Sequence, residues 1–474
     1  MAEQINRYKK ITEYSNDEID KVNEIVKYSL YYPYFHISPF NGLMNDPNGL
    51  FYKDGYFYIH YQNHPMRAIH GLKYWYLVKT KDFVHYIDCG YSNSPELKEE
   101  NHGCFSGSAY LENNQIKIIY TGNEKDENAI RTQHQIVGDL IDNKIVNKKV
   151  VVKHDNKIST EHIRDPKIIY ANDKQYMIVG AQTLEKKGTI AVFEKVKDNW
   201  VFKSYIKLKQ LKDPGYMWEC PNIEKVDGMY VVMFSIQGVN NTDKYNLQNS
   251  SNVISIVCSD IDFENGDLID EQPFEMFDHG QDLYATQTFW YEEKLLAISW
   301  VGTLDVEYPS DKDYWTGSLS IPVELNIKNN KLEKKPFNFF EKNILENDLK
   351  SEKTKLIKSL NLPARISLST NENVIKIKNE KNEYICLEIK KDEVIFDRSK
   401  QSLKIKSNFG DFRYIKNNNK LKQVDIWIDN SIIEVFVDNQ LLTSKFFVIG
   451  DLNLELQKEV ELKTNKIKKI SYTK

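Results

Sequence analysis

Apolar and polar residues alternate along the first 300 residues in a way that predicts short β-strands joined in pairs by tight turns. The unit of strand, two-residue turn and strand can be identified five times. The turns lie at Asp54-Gly55, Asn113-Asn114, Asn172-Asp173, Asp227-Gly228 and Glu292-Glu293. Asp-Gly and Asn-rich pairs tolerate the positive φ that primed hairpin turns require. Successive turns are roughly 55 to 65 residues apart, somewhat longer than the blade of about 40 to 50 residues in common propellers.

Five such units predict an all-β protein with a five-bladed β-propeller, with a β-sandwich built from ordinary hairpins as the alternative. One further regularity favours the propeller. Five unusual residues each precede their turn by seven or eight positions: Asp46, Ser106, Asp165, Glu219 and Tyr284. In a propeller, that spacing places all five on the innermost strands of successive blades, facing one mouth of the central channel.

The remaining patterns divide the chain into four segments. In residues 1–32, Ser15 and Glu18 form a capping box ahead of apolar residues at helical spacing, which predicts a lead-in helix. Residues 33–330 form the predicted propeller, and residues 331–350, rich in Lys and Asn, are expected to be a connector. Residues 351–474 contain short alternating strands and are interpreted as a structural C-terminal β-sandwich; an independent sugar-binding module is the other interpretation.

Composition excludes several classes of partner. The 474 residues carry a net charge of −4 without a long basic run, so neither nucleic acid nor an anionic membrane surface is expected. Apolar runs such as residues 230–234 are far shorter than the ~18 residues of a membrane span, and the N-terminus has no hydrophobic signal segment. Five cysteines without a CxxC pair, and ten histidines without ligand spacing, predict a reducing cytoplasm, no metal and no cofactor.

Three acidic motifs recur in the same part of the unit: Asn45-Asp46-Pro47-Asn48-Gly49, Arg164-Asp165-Pro166-Lys167 and Trp218-Glu219-Cys220-Pro221. Each of these motifs alone is typical of an ordinary surface turn. Together they suit a retaining glycosidase, which needs one carboxylate to attack the anomeric carbon and another to protonate the departing oxygen. We expect Asp46 to be the nucleophile, Glu219 with its longer arm to be the acid and later the base, and Asp165 to hold substrate hydroxyls.

These motifs closely resemble those of glycoside hydrolase family 32, the β-fructofuranosidases, over essentially the whole chain. The resemblance rests on residues 42–49 for the nucleophile, 164–166 for the transition-state-stabilising aspartate and 219–221 for the acid/base. Residues 61–62, 105–108, 120–123, 284–289 and 315–318 are similar to the family's other blocks. The resemblance implies a five-bladed propeller with a C-terminal β-sandwich, no metal, and double displacement through a fructosyl intermediate on Asp46.

Residues 70–76 are similar to the segment found in bacterial sucrose-6-phosphate hydrolases. The expected activity is therefore release of fructose from sucrose-6-phosphate, and from sucrose as well. Alternatives are a general β-fructofuranosidase, an exo-fructanase, a fructosyltransferase or a non-catalytic sugar-binding propeller. The expected partner is a small sugar, and the sequence does not predict an oligomeric state. The residues expected to bind substrate are Asn45, Gln62, Trp75, Phe105, Ser106, Arg164, Tyr284 and Trp300, with His70 and Lys73 as candidate contacts to the phosphate.

Overall fold

The computed structural model describes residues 6–239 and 243–474. Within them the chain is dominated by β-strands, and no helix is long and apolar enough to cross a membrane. The two α-helices are α1 (Asn16–Lys27) and α2 (Asn338–Ile344). The predicted capping box is confirmed, because Ser15 Oγ accepts from the Glu18 amide at 3.2 Å and Glu18 Oε2 accepts from the Ser15 amide at 2.7 Å. Residues 1–5 of the predicted lead-in segment lie outside the described residues.

Five antiparallel sheets follow one another along the first 336 residues. The first two contain β1 (Gly42–Lys53), β2 (Tyr56–His64), β3 (Tyr74–Thr80) and β4 (His85–Asn93), then β5 (Cys104–Glu112), β6 (Gln115–Lys125), β7 (Arg131–Ile141) and β8 (Lys144–Val152). The third contains β9 (Ile163–Ala171), β10 (Lys174–Gln182), β11 (Gly188–Val196) and β12 (Asn199–Tyr205). The five predicted hairpin turns are confirmed, and their first residues all have φ of 50–53°.

The fourth and fifth sheets are less regular. The fourth contains β13 (Met217–Val226), β14 (Met229–Gln237), β15 (Ser251–Cys258) and β18 (Glu275–Met276), with the short pair β16 (Asp260–Asp262) and β17 (Asp267–Ile269) beside it. Strands of the fifth segment are β19 (Tyr284–Tyr291), β20 (Lys294–Val301), β21 (Trp315–Thr316), β22 (Ser318–Leu319), β23 (Val323–Lys328) and β24 (Lys331–Pro336). Thus residues 331–336, expected to belong to a connector, pair with β23 instead. They do so because Leu332, Lys334 and Pro336 alternate towards the interior.

The first strands of the five sheets form a closed ring. β1 contacts β5, β5 contacts β9, β9 contacts β13, β13 contacts β19, and β19 contacts β1. The ring is a propeller arrangement, and it brings the strands that carry the acidic motifs around one axis. β21 lies parallel to β1, so the chain that follows the fifth sheet's inner hairpin also extends the first sheet.

The C-terminal region is one hydrogen-bonded set of ten strands. They are β25 (Lys350–Ile357), β26 (Ala364–Thr370), β27 (Asn373–Lys378), β28 (Tyr384–Ile389), β29 (Glu393–Lys400), β30 (Phe412–Lys416), β31 (Lys422–Ile428), β32 (Ile432–Val437), β33 (Gln440–Lys445) and β34 (Asn453–Lys466). The first part of β34 pairs with β27 and its last part with β26. A single apolar core lies against strands on both sides of β34 and includes Ile366, Ile377, Leu387 and Val435. The final strand, β35 (Ser471–Thr473), returns to the first sheet and pairs parallel with β4.

Buried ion pairs join the C-terminal strands to the ring. Arg398 donates to the carboxylate of Asp282, two residues before β19, and both side chains are fully buried. His36 lies 2.9 Å from Asp429 and 3.5 Å from Glu434, again without exposed side-chain surface. The N-terminal approach to β1 is therefore fixed to the C-terminal strands as well as to its own sheet.

Candidate active site

A bulge interrupts the innermost strand of every sheet at the same place. In each strand two residues face a single residue of the neighbouring strand. The bulged pairs are Asn45-Asp46, Phe105-Ser106, Asp165-Pro166, Cys220-Pro221 and Ala285-Thr286. Because a bulge breaks the alternation of a strand and redirects side chains, all five sheets present polar or reactive groups to one end of the ring.

The bulges also correct the predicted alignment of the motif residues. Asp46 and Ser106 are the second residues of their bulged pairs, whereas Asp165 is the first residue of its pair. Glu219 and Tyr284 each lie one residue before the bulged pair of their strand, and the first residues of those pairs, Cys220 and Ala285, have φ of 48° and 51°. Glu219 therefore enters the site from a different position of the strand than Asp46 does.

Asp46 is held by donors from two sheets. Ser106 Oγ donates to its Oδ2, and Asn45 Nδ2 donates to its Oδ1 at 3.0 Å. The amide of Asn45 also donates to Gln62 in β2. Burial raises the pKa of Asp46, the bond from Ser106 opposes that effect, and the negative charge of Glu219 adds to it. The network thus stabilises an ionised carboxylate in a site that desolvates it.

Asp165 lies in the left-handed region with φ of 67°. Its amide donates to Thr121 Oγ1 at 3.0 Å, and its Oδ2 accepts from the Cys220 amide at 2.9 Å. Burial and then the charge of Glu219 raise the pKa of Asp165 to about 8, against the opposing charge of Arg164. This shift favours the protonated form of the carboxyl, which can donate as well as accept.

Glu219 is contacted by three residues from three sheets. Arg164 Nε donates to Oε1 at 2.7 Å, and Arg164 Nη2 lies 2.7 Å from the same oxygen in an ion pair. On the other oxygen, Tyr284 Oη donates at 2.6 Å and Gln237 Nε2 also donates. These contacts fix the orientation of the Glu219 carboxylate, whose side chain is 15% exposed.

Asp46, Asp165 and Glu219 lie close enough together that the charge of Glu219 raises the pKa of both aspartates. One oxygen from each of Asp46 and Asp165 and the sulfur of Cys220 lie within 4.8 Å of one another. Cys220 Sγ is 3.7 Å from both carboxylate oxygens, and the preceding residue in the chain is Glu219. Burial raises the pKa of the Cys220 thiol well above its usual value, so the sulfur adds no further negative charge to the two carboxylates.

Lys73 lies behind this group rather than at its mouth. Its side chain is 4% exposed, and Nζ donates to Asn45 Oδ1 at 2.6 Å. That bond orients the Asn45 amide so that its NH2 group points to Asp46 and Gln62. Burial lowers the pKa of Lys73 to about 7, and the charge of Asp46 opposes this shift.

Of the aromatic residues predicted to bind substrate, some support the strands of the site and others line a cavity. Trp75 is fully buried and donates to the Phe105 carbonyl at 3.1 Å, so it supports the β5 bulge. Phe105 itself is partly exposed. The ring of Trp300 lies 6.4 Å from that of Tyr284 and 6.3 Å from that of His70. Trp300 and His70 line a cavity of about 870 Å³.

Two contacts to the acids come from residues that the sequence analysis did not select. Gln237 ends the apolar run of β14, and its amide donates to both Glu219 and Tyr284. Thr121 in β6 orients the backbone of Asp165 and donates to Gln135 at 2.7 Å. The only local signal for Gln237 is a polar residue at the end of a strand that is otherwise apolar. Thr121 lies in residues 120–123, which resemble a family block, but the resemblance did not assign it a role.

Comparison with known proteins agrees with this geometry. The family model for the N-terminal domain of glycosyl hydrolases family 32 matches residues 36–336. A sucrose-6-phosphate hydrolase of Vibrio alginolyticus is 34% identical over 459 residues, which is 96% of this chain and 94% of that protein. One from Streptococcus mutans is 34% identical and covers 93% and 94% of the two chains.

Solved structures of related proteins are also similar to this chain in three dimensions. The structure of sucrose-6-phosphate hydrolase from Lactobacillus gasseri superposes with a TM-score of 0.92 at 27% identity, covering 98% of this chain and 99% of that one. The Bombyx mori GH32 β-fructofuranosidase BmSUC1 shares the fold with a TM-score of 0.82 at 22% identity, over 97% of this chain and all of that one. With a ring of strands that directs Asp46, Asp165 and Glu219 to one point, this chain belongs to glycosyl hydrolase family 32.

Proposed function

We propose that this chain is a retaining β-fructofuranosidase that releases fructose from sucrose-6-phosphate, and from sucrose at lower efficiency. The observation that carries the proposal is the proximity of Asp46, Asp165 and Glu219, with Arg164 donating to Glu219 and the Cys220 amide donating to Asp165. The relatives named sucrose-6-phosphate hydrolase, which align with nearly the whole chain, support the choice of substrate.

In the first half of the proposed reaction, an oxygen of Asp46 bonds to the anomeric carbon of the fructosyl unit. The bond to the glucosyl oxygen breaks, and Glu219 transfers its proton to that oxygen. In the second half, Glu219 takes a proton from water, the water oxygen bonds to the anomeric carbon, and Asp46 is released. Asp165 binds fructosyl hydroxyls throughout, and Asn45, Gln62, Ser106 and Arg164 hold the reacting carboxylates in place.

We also propose a more detailed assignment of the domains and of the cellular compartment. The five sheets are five propeller blades, and the catalytic domain runs from residue 33 through the end of β24 at residue 336. The ten C-terminal strands form a β-sandwich in which β34 passes from one layer to the other, in keeping with its two pairing partners. The five free cysteines suit a reducing compartment, so we place the protein in the cytoplasm.

The test is fructose release by the purified protein from sucrose-6-phosphate and from sucrose, compared as kcat/KM. We expect a ratio of at least about tenfold in favour of the phosphorylated sugar, and loss of both activities in Asp46→Asn. Equal efficiency would leave a general β-fructofuranosidase. Oligosaccharides at high sucrose concentration would indicate a transferase, and no release from either sugar would refute an enzymatic role.

Retention is tested separately with methanol as the acceptor. A double displacement gives methyl β-fructofuranoside, because attack on the intermediate restores the starting configuration. Inverted product would exclude Asp46 as the nucleophile.

A further inference from the structure

The cavity that Trp300 and His70 line also has two arginines at its rim, Arg7 and Arg67. It lies next to the acids, because the Trp300 ring packs 6.4 Å from that of Tyr284, which donates to Glu219. Leu43, three residues before Asp46, lies on the same wall. A disaccharide whose fructosyl unit reaches Asp46 would therefore direct its other sugar towards this rim.

Neither rim guanidinium is engaged by the protein. Both arginine residues are exposed, and within residues 6–239 and 243–474 neither side chain forms a hydrogen bond or an ion pair. The other cations of the cavity are already in contact with the protein: Lys406 pairs with Glu307, Lys404 donates to the Ser399 carbonyl, and Lys312 lies over the Tyr31 ring. Among the described residues that line the cavity, the guanidinium groups of Arg7 and Arg67 are thus the positive charges without a protein partner, while Asp305, Glu307 and Asp311 in the same lining carry negative charge.

The backbone at Arg7 is held in place. Its carbonyl accepts from the Leu72 amide at 2.9 Å. A Cβ added to Gly71 would meet that carbonyl at 2.3 Å, so the two segments are as close as glycine allows. Nearby, the Ile11 amide donates to Tyr74 Oη at 3.2 Å, and the Tyr8 ring packs 4.3 Å from that of His102. The segment before α1 therefore lies docked across the first two sheets.

The backbone at Arg67 is also held in place, here by a turn. The preceding residue, Met66, has φ of 71°, and its amide donates to Asn41 Oδ1 at 2.7 Å. The Arg67 carbonyl accepts from the Ile69 amide at 2.9 Å. Fixed backbones with free guanidinium groups are suited to bind an anion at little cost in chain entropy.

We propose that Arg7 and Arg67 bind the phosphate of the phosphorylated leaving sugar, with His70 beside them in the same cavity. This assignment rests on the proposed function. Guanidinium groups bind phosphate oxygens through paired N–H donors, which suits a monoester dianion. His70 faces the cavity, where desolvation and the charge of Lys73 lower its pKa well below the usual value. Lys73, the other expected phosphate contact, instead donates to Asn45 inside the first sheet.

The test compares Arg7→Gln, Arg67→Gln and the double variant with wild type on both sugars. We expect each single variant to lower kcat/KM for sucrose-6-phosphate about tenfold, mainly through KM, and the double variant about a hundredfold. Activity on sucrose should stay within about twofold of wild type, because that substrate has no phosphate to lose. An unchanged ratio of the two efficiencies, or equal losses on both sugars, would overturn the assignment.

Two controls separate this site from the catalytic one. Lys312→Gln removes a cation from the same cavity and should leave both efficiencies unchanged, whereas Lys73→Met should lower both together by disturbing Asn45. A large loss in Lys312→Gln that is selective for sucrose-6-phosphate, with none in the arginine variants, would place the phosphate at Lys312 and refute the assignment.

Binding of glucose-6-phosphate, measured by calorimetry, keeps the inference independent of the proposed function. We expect wild type to bind it and the double arginine variant to bind it at least tenfold more weakly. If wild type hydrolyses the two sugars equally but still shows this arginine-dependent binding, the proposed substrate fails while the phosphate site stands. Absence of binding, or binding that does not depend on the arginines, refutes the site itself.

Discussion

The bond from Ser106 to Asp46 gives a prediction that can be worked through in detail. Ser106 is 1% exposed, and its hydroxyl donates to Oδ2 of the candidate nucleophile. In Ser106→Ala that donor is lost. Because the bond stabilises the ionised carboxylate more than the neutral acid, its removal raises the pKa of Asp46 further above its usual value.

The size of the effect follows from the charge of the acceptor. A hydrogen bond to a charged group contributes about 1.5 to 3 kcal/mol, and one pKa unit corresponds to about 1.4 kcal/mol. The acidic limb of the kcat/KM profile should therefore move to higher pH by about 1 to 2 units in Ser106→Ala. The enzyme would lose activity as pH falls through the new pKa, at a pH where wild type is still active.

The assay is initial rate of fructose release over a range of pH, analysed as kcat/KM. A matched control is Ser108→Ala, two residues along the same strand. Ser108 is 5% exposed and donates to the Pro166 carbonyl at 3.0 Å, so it is similarly buried but does not contact the nucleophile. A shift below about 0.3 units in Ser106→Ala, or an equal shift in Ser108→Ala, would refute the reasoning.

Three other changes have expected outcomes. Tyr284→Phe removes the 2.6 Å bond to Glu219 and should lower kcat by about 10- to 100-fold with little change in KM, measured by steady-state kinetics; an unchanged kcat would contradict it. Asp282→Ala leaves the buried Arg398 without its partner and should reduce the free energy of unfolding in urea by about 3 to 5 kcal/mol, whereas a loss under about 1 kcal/mol would count against a structural role. Burial opposes protonation of His36, but its two carboxylate partners raise its pKa to about 9. About 3 kcal/mol of stability should therefore be fully present below pH 6.5 and be lost as pH rises to about 9, and His36→Gln should abolish that dependence in unfolding experiments across pH.

Local sequence signals predicted the repeated unit well. The turn pairs that begin with Asp54 and Asn113 need left-handed backbone, and residues of these types adopt it readily. The proximity of the acids was expected because each lies seven or eight residues before its turn. The one-residue offset of Glu219 could not be predicted in the same way, because a bulge depends on pairing with the neighbouring strand, and Cys220-Pro221 carries no local sign of it.

Other features depended on long-range contacts. Lys73 lies in a polar segment and was expected to contact the phosphate, but Asn45 in β1 provides an acceptor that allows its burial. Arg7 precedes every predicted element, and only the docking of its backbone against Gly71 places it at the cavity. Residues 331–336 were expected to be part of a connector because they are rich in lysine, but their pairing with β23 depends on the fold.

The first sheet takes two of its strands from much later in the chain: Trp315–Thr316 lies beside β1, and Ser471–Thr473 lies beside β4. During synthesis, a ribosome that has released β1 to β4 has yet to translate either of these strands. Both edges of the sheet are thus unpaired in the nascent chain, and such edges are prone to association with other strands. Deleting residues 471–473 would make one of those open edges permanent, so yield of soluble protein should depend on three residues far from the catalytic site in sequence.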